Sequence, residues 1–181
     1  MSWNTELFLM IHSLAHQSAF LDGLIRFVAD PLGIIVVIGI VWYLADHRMH
    51  KHAVWELAVF FGIAFLSVGI AYVIKHFTGL PRPFDALPNI TPLVYGDPWG
   101  AFPSGHATFF SALGACMAVA HRRSGLFVLA LTFCIGFARV AAGVHWPIDI
   151  LVGLLLGSLI GWTLTKLMYR WLCEFLKVCI V

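Results

Sequence analysis

The stretch WGAFPSGHATFF, residues 99–110, places a polar tetrapeptide directly before a mostly apolar run. Pro103 ends a loop. Ser104 is a good N-cap, because its hydroxyl accepts a hydrogen bond from a backbone N–H in the first helical turn. The run that follows, residues 104–120, is long and apolar enough to enter a membrane. The stretch therefore predicts a helix that begins at a polar boundary and continues into apolar surroundings.

The rest of the chain is similarly apolar. Of its 181 residues, 61% are hydrophobic and 11% are charged, whereas soluble domains have about half and about a quarter. The net charge of +2 is too small to indicate a nucleic-acid partner. The four cysteines form no C-x-x-C pair, so the sequence indicates neither a zinc site nor a disulfide framework. These properties predict an integral membrane protein.

Five apolar runs are candidates for spanning helices, since such a helix needs roughly 20 mostly apolar residues. They cover about residues 30–45, 53–74, 104–120, 125–142 and 148–168. Ahead of them, Leu7, Phe8, Ile11 and Leu14 recur at helical spacing among polar residues, which favours a helix lying in the membrane interface. The sequence therefore predicts one all-α membrane domain over residues 1–181. It has five to six transmembrane helices and an N-terminal interfacial helix.

Short basic loops predict the orientation of this bundle. In a five-span protein, DHRMHKH at 46–52 and HRR at 121–123 share one side with Lys166, Arg170 and Lys177. The positive-inside rule makes that side cytoplasmic and leaves loops 75–103 and 139–149 outside, with the N-terminus. The outer loops also carry basic residues, and charges placed against the rule call for a functional explanation.

The first outer segment, KHFTGLPRPF at residues 75–84, carries two cations. Lys75 closes a span, and taken alone it is better explained as a lysine that snorkels to the membrane boundary. Arg82 lies between Pro81 and Pro83, which restrict the backbone. A guanidinium on a stiff loop is a planar donor that suits an oxyanion.

The other two segments are PSGH at 103–106 and ARVAAGVHWPID at 138–149. Gly105 lets a ligand approach free N–H groups at a helix start, although capping alone also explains this motif. Pro147 fits the first turn of the last span, so His145 and Asp149 face each other one turn apart. An aspartate that accepts from one ring nitrogen leaves the other free as nucleophile or base. The alternative is a surface histidine with an aspartate that serves only the helix N-terminus.

All three segments meet at one membrane face in this topology. Three fixed cations there would neutralise a phosphoryl group, while one histidine attacks and the other protonates the leaving oxygen. No ligand cage for a metal ion is evident in these segments. The HRMHKH loop lacks ligating partners and lies on the opposite face, so a solvated basic loop explains it better than a metal site.

With these motifs the sequence resembles the type-2 phosphatidic acid phosphatase superfamily of membrane enzymes. The three-part signature of that family appears as Lys75…Arg82-Pro83, Pro103-Ser104-Gly105-His106 and Arg139…His145…Asp149. The resemblance implies that His145 forms a phosphohistidine, that Asp149 orients it, and that His106 is the general acid. It also implies no metal or other cofactor, and phosphoryl oxygens held by Lys75, Arg82, Ser104, Gly105 and Arg139. Where the family usually has a serine before the arginine of the third part, this chain has Ala138, which predicts reduced or retuned phosphate binding but no loss of the reaction.

Within the family, the length and the N-terminal stretch ELFLMIHSLAHQSAFLD most resemble small bacterial undecaprenyl pyrophosphate phosphatases of the bacitracin-resistance type. The resemblance implies hydrolysis of undecaprenyl diphosphate at the periplasmic or exterior face of a bacterial cytoplasmic membrane. Because the motifs contact only the phosphate, phosphatidylglycerol phosphate, phosphatidate and lipid A 1-phosphate remain alternative substrates. Phosphate transfer to another acceptor and transport of an anionic lipid also remain open, as does the oligomeric state. We expect Trp99, Phe102 and Tyr95 of loop 84–102 to lie over the site near the headgroup.

Overall fold

The computed structural model describes residues 3–46, 53–96 and 98–176, and every regular element in these ranges is a helix. The helices are α1 (Trp3–His12), α2 (Ala19–Ala29), α3 (Pro31–Ala45), α4 (Ala53–Thr78), α5 (Pro83–Ala86), α6 (Gly105–Ala120), α7 (Arg122–Ala141) and α8 (Pro147–Leu176). The predicted all-α class is therefore confirmed.

The helices differ in how they match the predicted spans. By length and composition, α4, α7 and α8 are able to cross a membrane. Helices α2 and α3 meet the same criterion only as a pair, bent by 43° at Asp30. Helix α6 is apolar but has 16 residues, which make about 24 Å of helix. The predicted five spans are reached when both the bent pair and this shorter helix are counted.

Helix α6 is the centre of the bundle. It packs most extensively against α8 and α7. Gly153, Gly157 and Gly161 lie four residues apart on α8 and face α6, and a Cβ at Gly157 would overlap the Thr108 carbonyl and the Ser111 hydroxyl. Small residues at such spacing let two helices approach closely in a membrane. This packing holds the first turn of α8 against the first turn of α6.

A polar cluster around the buried Glu56 joins four segments at the other end of the bundle. Glu56 on α4 accepts a hydrogen bond from the Tyr169 hydroxyl on α8 at 3.2 Å, and it lies 3.0 Å from Nε2 of His121 between α6 and α7. The ring of Tyr43 on α3 packs edge-on against His121. Basic residues adjoin this cluster at Arg122, Arg123 and Arg170. Lys166, also on α8, lies with its ammonium 4.0 Å from the centre of the Trp162 ring, and the rest of the predicted basic face, at residues 47–52 and Lys177, is outside the described residues.

The predicted N-terminal helix is present, and it braces the turn between α7 and α8. Helix α1 buries Phe8 and His12. His12 Nδ1 lies at hydrogen-bonding distance, 2.8 Å, from the Ala141 carbonyl, and the Asn4 side-chain oxygen accepts from the Ile148 N–H at 3.1 Å. These contacts attach α1 to the last turn of α7 and the first turn of α8.

Candidate active site

His145 lies in the turn between α7 and α8 and is almost completely buried. Its Nδ1 is 3.3 Å from Oδ2 of Asp149, and the same oxygen accepts from the Trp146 N–H at 2.8 Å. Helix α8 begins at Pro147, so the two side chains lie one turn apart, in the arrangement that their spacing predicts.

Arg82 contacts the opposite side of the His145 ring. Its Nη1 donates to the Val144 carbonyl at 2.7 Å and lies 3.5 Å from Nε2 of His145. A guanidinium only donates, so it favours a lone pair on Nε2. The neutral ring then carries its proton on Nδ1 and donates it to Asp149. This tautomer leaves Nε2 available for attack.

Burial lowers the pKa of His145 well below its usual range, and the positive charges of Arg139, Arg82 and Lys75 lower it further. Both causes disfavour the imidazolium form, because burial removes its hydration and the cations repel it. The ring is therefore neutral at pH 7 and keeps the lone pair that a nucleophile needs.

The PSGH motif forms the start of α6. Ser104 is buried, and its hydroxyl accepts from the Ala107 N–H at 3.4 Å, which confirms the predicted N-cap. The Ser104 N–H donates to the Asp149 carbonyl at 3.1 Å, so this motif is joined directly to α8. Space is open beside Gly105, where a Cβ would meet nothing within 4 Å.

The two remaining predicted cations are buried at the ends of α4 and α7. Lys75 is 1% exposed, which contradicts the interpretation of a snorkelling lysine, and its ammonium lies 5.3 Å from the centre of the Tyr72 ring. Arg139 is 3% exposed, and its Nη1 donates to the Ala29 carbonyl at 3.1 Å. Charges buried in this way act strongly on one another, because little water screens them.

His106 contacts an acidic residue that the sequence analysis missed. Its Nε2 lies 3.3 Å from Oδ1 of Asp30 and 3.5 Å from Nη1 of Arg139. The same Oδ1 of Asp30 and Nη1 of Arg139 are 3.6 Å apart. The only sequence signal was an aspartate followed by Pro31, a pair typical of a helix start. The aspartate is the first residue of the predicted span over about residues 30–45, and Pro31 is interpreted as a kink or break after the stretch LDGLIRFV.

An open cavity of about 360 Å³ adjoins His106 and Arg139. Its lining combines charged residues and glycine with apolar or aromatic side chains: Asp30, Gly105, His106 and Arg139, and also Phe65, Val68, Tyr72, Phe109 and Phe110. A polar group carried on a hydrocarbon chain suits such a lining, because the lining offers partners to both parts of the ligand.

Loop 84–102 contacts the site through Tyr95 and Gly96. Both residues line the cavity, and a Cβ at Gly96 would overlap the Arg82 guanidinium. Trp99 instead lines a separate groove of about 350 Å³ beside α4, and Phe102 does not line the cavity. The structure thus brings together the predicted residues of the three motifs. Of the three predicted loop aromatics, Tyr95 lines the cavity, whereas Trp99 and Phe102 do not.

Within the described ranges, no three His, Cys, Asp or Glu side chains are grouped so that they could hold a metal ion. The histidines at positions 47, 50 and 52 fall outside those ranges. The cationic side chains gathered around His145 are those of Lys75, Arg82 and Arg139.

Residues 53–173 match the family model of the PAP2 superfamily. The chain belongs to the PAP2 superfamily. This PAP2 chain is 29% identical over 171 residues to bacitracin transport permease protein BcrC of Bacillus licheniformis, covering 92% of this chain and 83% of that protein. It is 28% identical to undecaprenyl-diphosphatase BcrC of Bacillus subtilis, over 87% and 80% of the two chains.

A third relative and one solved structure are also similar to this PAP2 protein. The undecaprenyl-diphosphatase of Sulfolobus acidocaldarius is 31% identical over 88% of this chain and 75% of that one. Among solved structures, Aquifex aeolicus LpxE has a TM-score of 0.72 at 24% identity and covers 92% of this chain and 96% of its own. That likeness shows a shared fold, and the predicted family is confirmed.

Proposed function

We propose that this PAP2 protein hydrolyses undecaprenyl diphosphate to undecaprenyl phosphate and inorganic phosphate. The observation that carries the proposal is the His145 ring, whose Nε2 faces Arg82 while Nδ1 faces Asp149. A site that only binds an anionic lipid needs cations, but it does not need an oriented neutral imidazole. Two similar proteins are named undecaprenyl-diphosphatases, which supports this substrate over other lipid phosphates.

In the first step, Nε2 of His145 attacks the terminal phosphorus. The N–P bond forms with the lone pair of Nε2, and the bond from phosphorus to the bridging oxygen breaks. His106 donates a proton to that oxygen as the lipid phosphate leaves. Asp149 stabilises the positive charge that develops on the imidazole through its contact with Nδ1.

In the second step, water attacks the phosphorus of the phosphohistidine. His106 has lost its proton and now accepts one from the water. The N–P bond breaks, its electrons return to Nε2, and inorganic phosphate leaves. His145 is again neutral, and the enzyme is ready for another turnover.

Lys75, Arg82 and Arg139 are proposed to bind the non-bridging oxygens, together with the Ser104 hydroxyl and the Gly105 N–H. Charge develops on these oxygens in the transition state, and prepositioned buried donors stabilise it strongly. Since these side chains supply the positive charge, we expect turnover to continue in EDTA.

The site is proposed to face the outside of the cytoplasmic membrane. Helix α6, at about 24 Å, is shorter than the hydrocarbon core of about 30 Å. With its other end at the opposite boundary, the first turn of α6 would lie just inside the hydrocarbon core, below the headgroup level where lipid phosphates reside. The basic residues at its other end, Arg122 and Arg123, support a cytoplasmic location for that end. The lipid chain would lie against the apolar cavity wall at Phe65 and Phe109.

Phosphate release by the purified protein in EDTA tests this proposal. The substrates are undecaprenyl diphosphate, phosphatidylglycerol phosphate, phosphatidate and lipid A, and we expect the first to be hydrolysed fastest. His145→Ala should abolish turnover, whereas His76→Ala should retain it, because His76 is exposed near the end of α4. Turnover by His145→Ala would overturn the mechanism.

The same assay separates the other functions. Added lipid or sugar acceptors that become phosphorylated would show transfer instead of hydrolysis. Movement of an anionic lipid across vesicle membranes without phosphate release would show transport. An acid-labile, alkali-stable phosphate on the wild-type protein, absent from His145→Ala, is the expected trace of the intermediate.

A further inference from the structure

Asp30 lies at the break between two helices, and its side chain faces the candidate active site. Helix α2 ends at Ala29 and α3 begins at Pro31, with a bend of 43° between them. The Asp30 side chain makes no cap hydrogen bond to α3. It is 56% exposed and lines the cavity beside His106. Helix capping therefore does not account for a carboxylate at this position.

Nε2 of His106 stands between two opposite charges. Oδ1 of Asp30 is 3.3 Å away, and Nη1 of Arg139 is 3.5 Å away. A carboxylate favours a proton on this nitrogen, whereas a guanidinium disfavours one. The Ala29 carbonyl accepts from the same Nη1 at 3.1 Å, so the helix break contacts both His106 and Arg139.

Cations dominate the other surroundings of His106. Burial removes hydration from its ring, and Arg139 on α7 and Lys75 on α4 bring two positive charges close to it. The hydroxyl-bearing rings of Tyr72 on α4 and Tyr95 in loop 84–102 line the same cavity. Among these groups Asp30 supplies the carboxylate in contact with His106. Without Asp30, His106 would have to hold its acidic proton beside two cations and no carboxylate.

We propose that Asp30 is a positioning residue that keeps a proton on Nε2 of His106, so that His106 acts as an acid toward the leaving oxygen. The inference rests on the proposed function, because it requires His106 to protonate the leaving group. It has a second consequence for binding. A carboxylate beside the cavity repels an incoming phosphate, so Asp30 weakens anion binding while it speeds bond cleavage.

The effect of Asp30 on bond cleavage and its effect on anion binding can be measured separately. With undecaprenyl diphosphate, we expect Asp30→Asn to lower kcat about 10- to 100-fold near neutral pH. The alkaline limb of its kcat profile should move about one unit to lower pH. Inhibition by vanadate should become stronger, because a negative charge has been removed beside the anion. Asp30→Glu keeps the carboxylate and should retain the wild-type alkaline limb.

Asp22→Asn is the matched control, since Asp22 on α2 accepts from the His16 N–H and does not line the cavity. It should leave kcat, the pH profile and vanadate inhibition unchanged. If Asp30 serves only to hold Arg139, Asp30→Asn will instead weaken vanadate inhibition and leave the alkaline limb in place. That result, or an unchanged kcat, would overturn the inference. A wild-type protein that releases no phosphate would overturn the proposed function instead.

Discussion

The Arg82 guanidinium donates to the Val144 carbonyl over 2.7 Å, and the same Nη1 lies 3.5 Å from Nε2 of His145. One side chain therefore fixes both the backbone before the proposed nucleophile and the nitrogen that carries its lone pair. Gly96 packs directly against this guanidinium, where a larger residue would overlap it. Arg82 is thus part of the framework of the site as well as a candidate phosphate ligand.

Arg82→Lys should reduce kcat/KM at least about 100-fold, although the charge is kept. A lysine ammonium is compact and sits on a flexible stem, so it does not reproduce the fixed planar position from which Nη1 of Arg82 contacts both the Val144 carbonyl and the imidazole. Phosphate release from undecaprenyl diphosphate measures the effect. Arg122→Lys, at an exposed position at the opposite end of the bundle, is the control and should have wild-type kinetics. A loss smaller than about tenfold would contradict the framework role.

The acid limb of kcat/KM should lie well below pH 6.5, the usual value for a histidine. Burial lowers the pKa of His145 below its usual 6.5, so the ring stays neutral and nucleophilic in mildly acidic solution. The same shift affects stability: the unfolded chain takes up this proton near pH 6.5, so stability falls as the pH drops below that value. Rate profiles and melting temperatures between about pH 5 and 8 check both statements. An acid limb near 6.5 that is independent of substrate ionisation would count against a buried neutral His145.

Gly157→Ala should destabilise the protein by about 2 kcal/mol, which lowers Tm by about 4 to 8 °C. The added Cβ would overlap the Thr108 carbonyl and the Ser111 hydroxyl and push α8 away from α6. Gly69→Ala is the control, because a Cβ there meets nothing within 4 Å. Its alanine should keep or raise Tm, since alanine is favoured over glycine inside a helix. Equal Tm values for the two variants would show that close packing at Gly157 is not needed.

Ala138→Ser should change vanadate inhibition by less than about threefold. Comparison with the family pattern predicts that the missing hydroxyl retunes phosphate binding. In the structure, however, Ala138 packs in an apolar cluster with Ile25 and Ala29, and it does not line the cavity. A serine there would hydrogen-bond to its own helix backbone. Vanadate inhibition that strengthens about tenfold or more would support the sequence-based expectation instead.

Local spacing explains which parts of the site the sequence predicts. His145 and Asp149 are four residues apart, and Ser104 caps the helix that it precedes, so both arrangements follow from the geometry of one helical turn. The contact between Asp30 and His106 has no such local origin. It depends on the bend between α2 and α3 and on the packing of α2 against α7.

The sequence likewise predicts which segments are long apolar helices, but not how those helices pack. Apolar runs predict α4, α7 and α8, because their length alone is sufficient to cross a membrane. Helix α6 is shorter, and its position in the bundle depends on its packing against α8. The sequence likewise predicts an apolar stripe on α1, but not that Asn4 would accept a hydrogen bond from Ile148. That contact exists only once the last helix has packed.

The break at Asp30 lies outside residues 53–173, the part of the chain that matches the family model. Every signature residue is inside that part, whereas the carboxylate beside His106 and the Ala29 carbonyl bound by Arg139 are not. Substitutions at the break should therefore alter both the proton supply and anion binding, although every signature residue stays unchanged. Two proteins of this family with identical signatures would then differ in leaving-group departure and in affinity for anions because of a segment that the family model does not include.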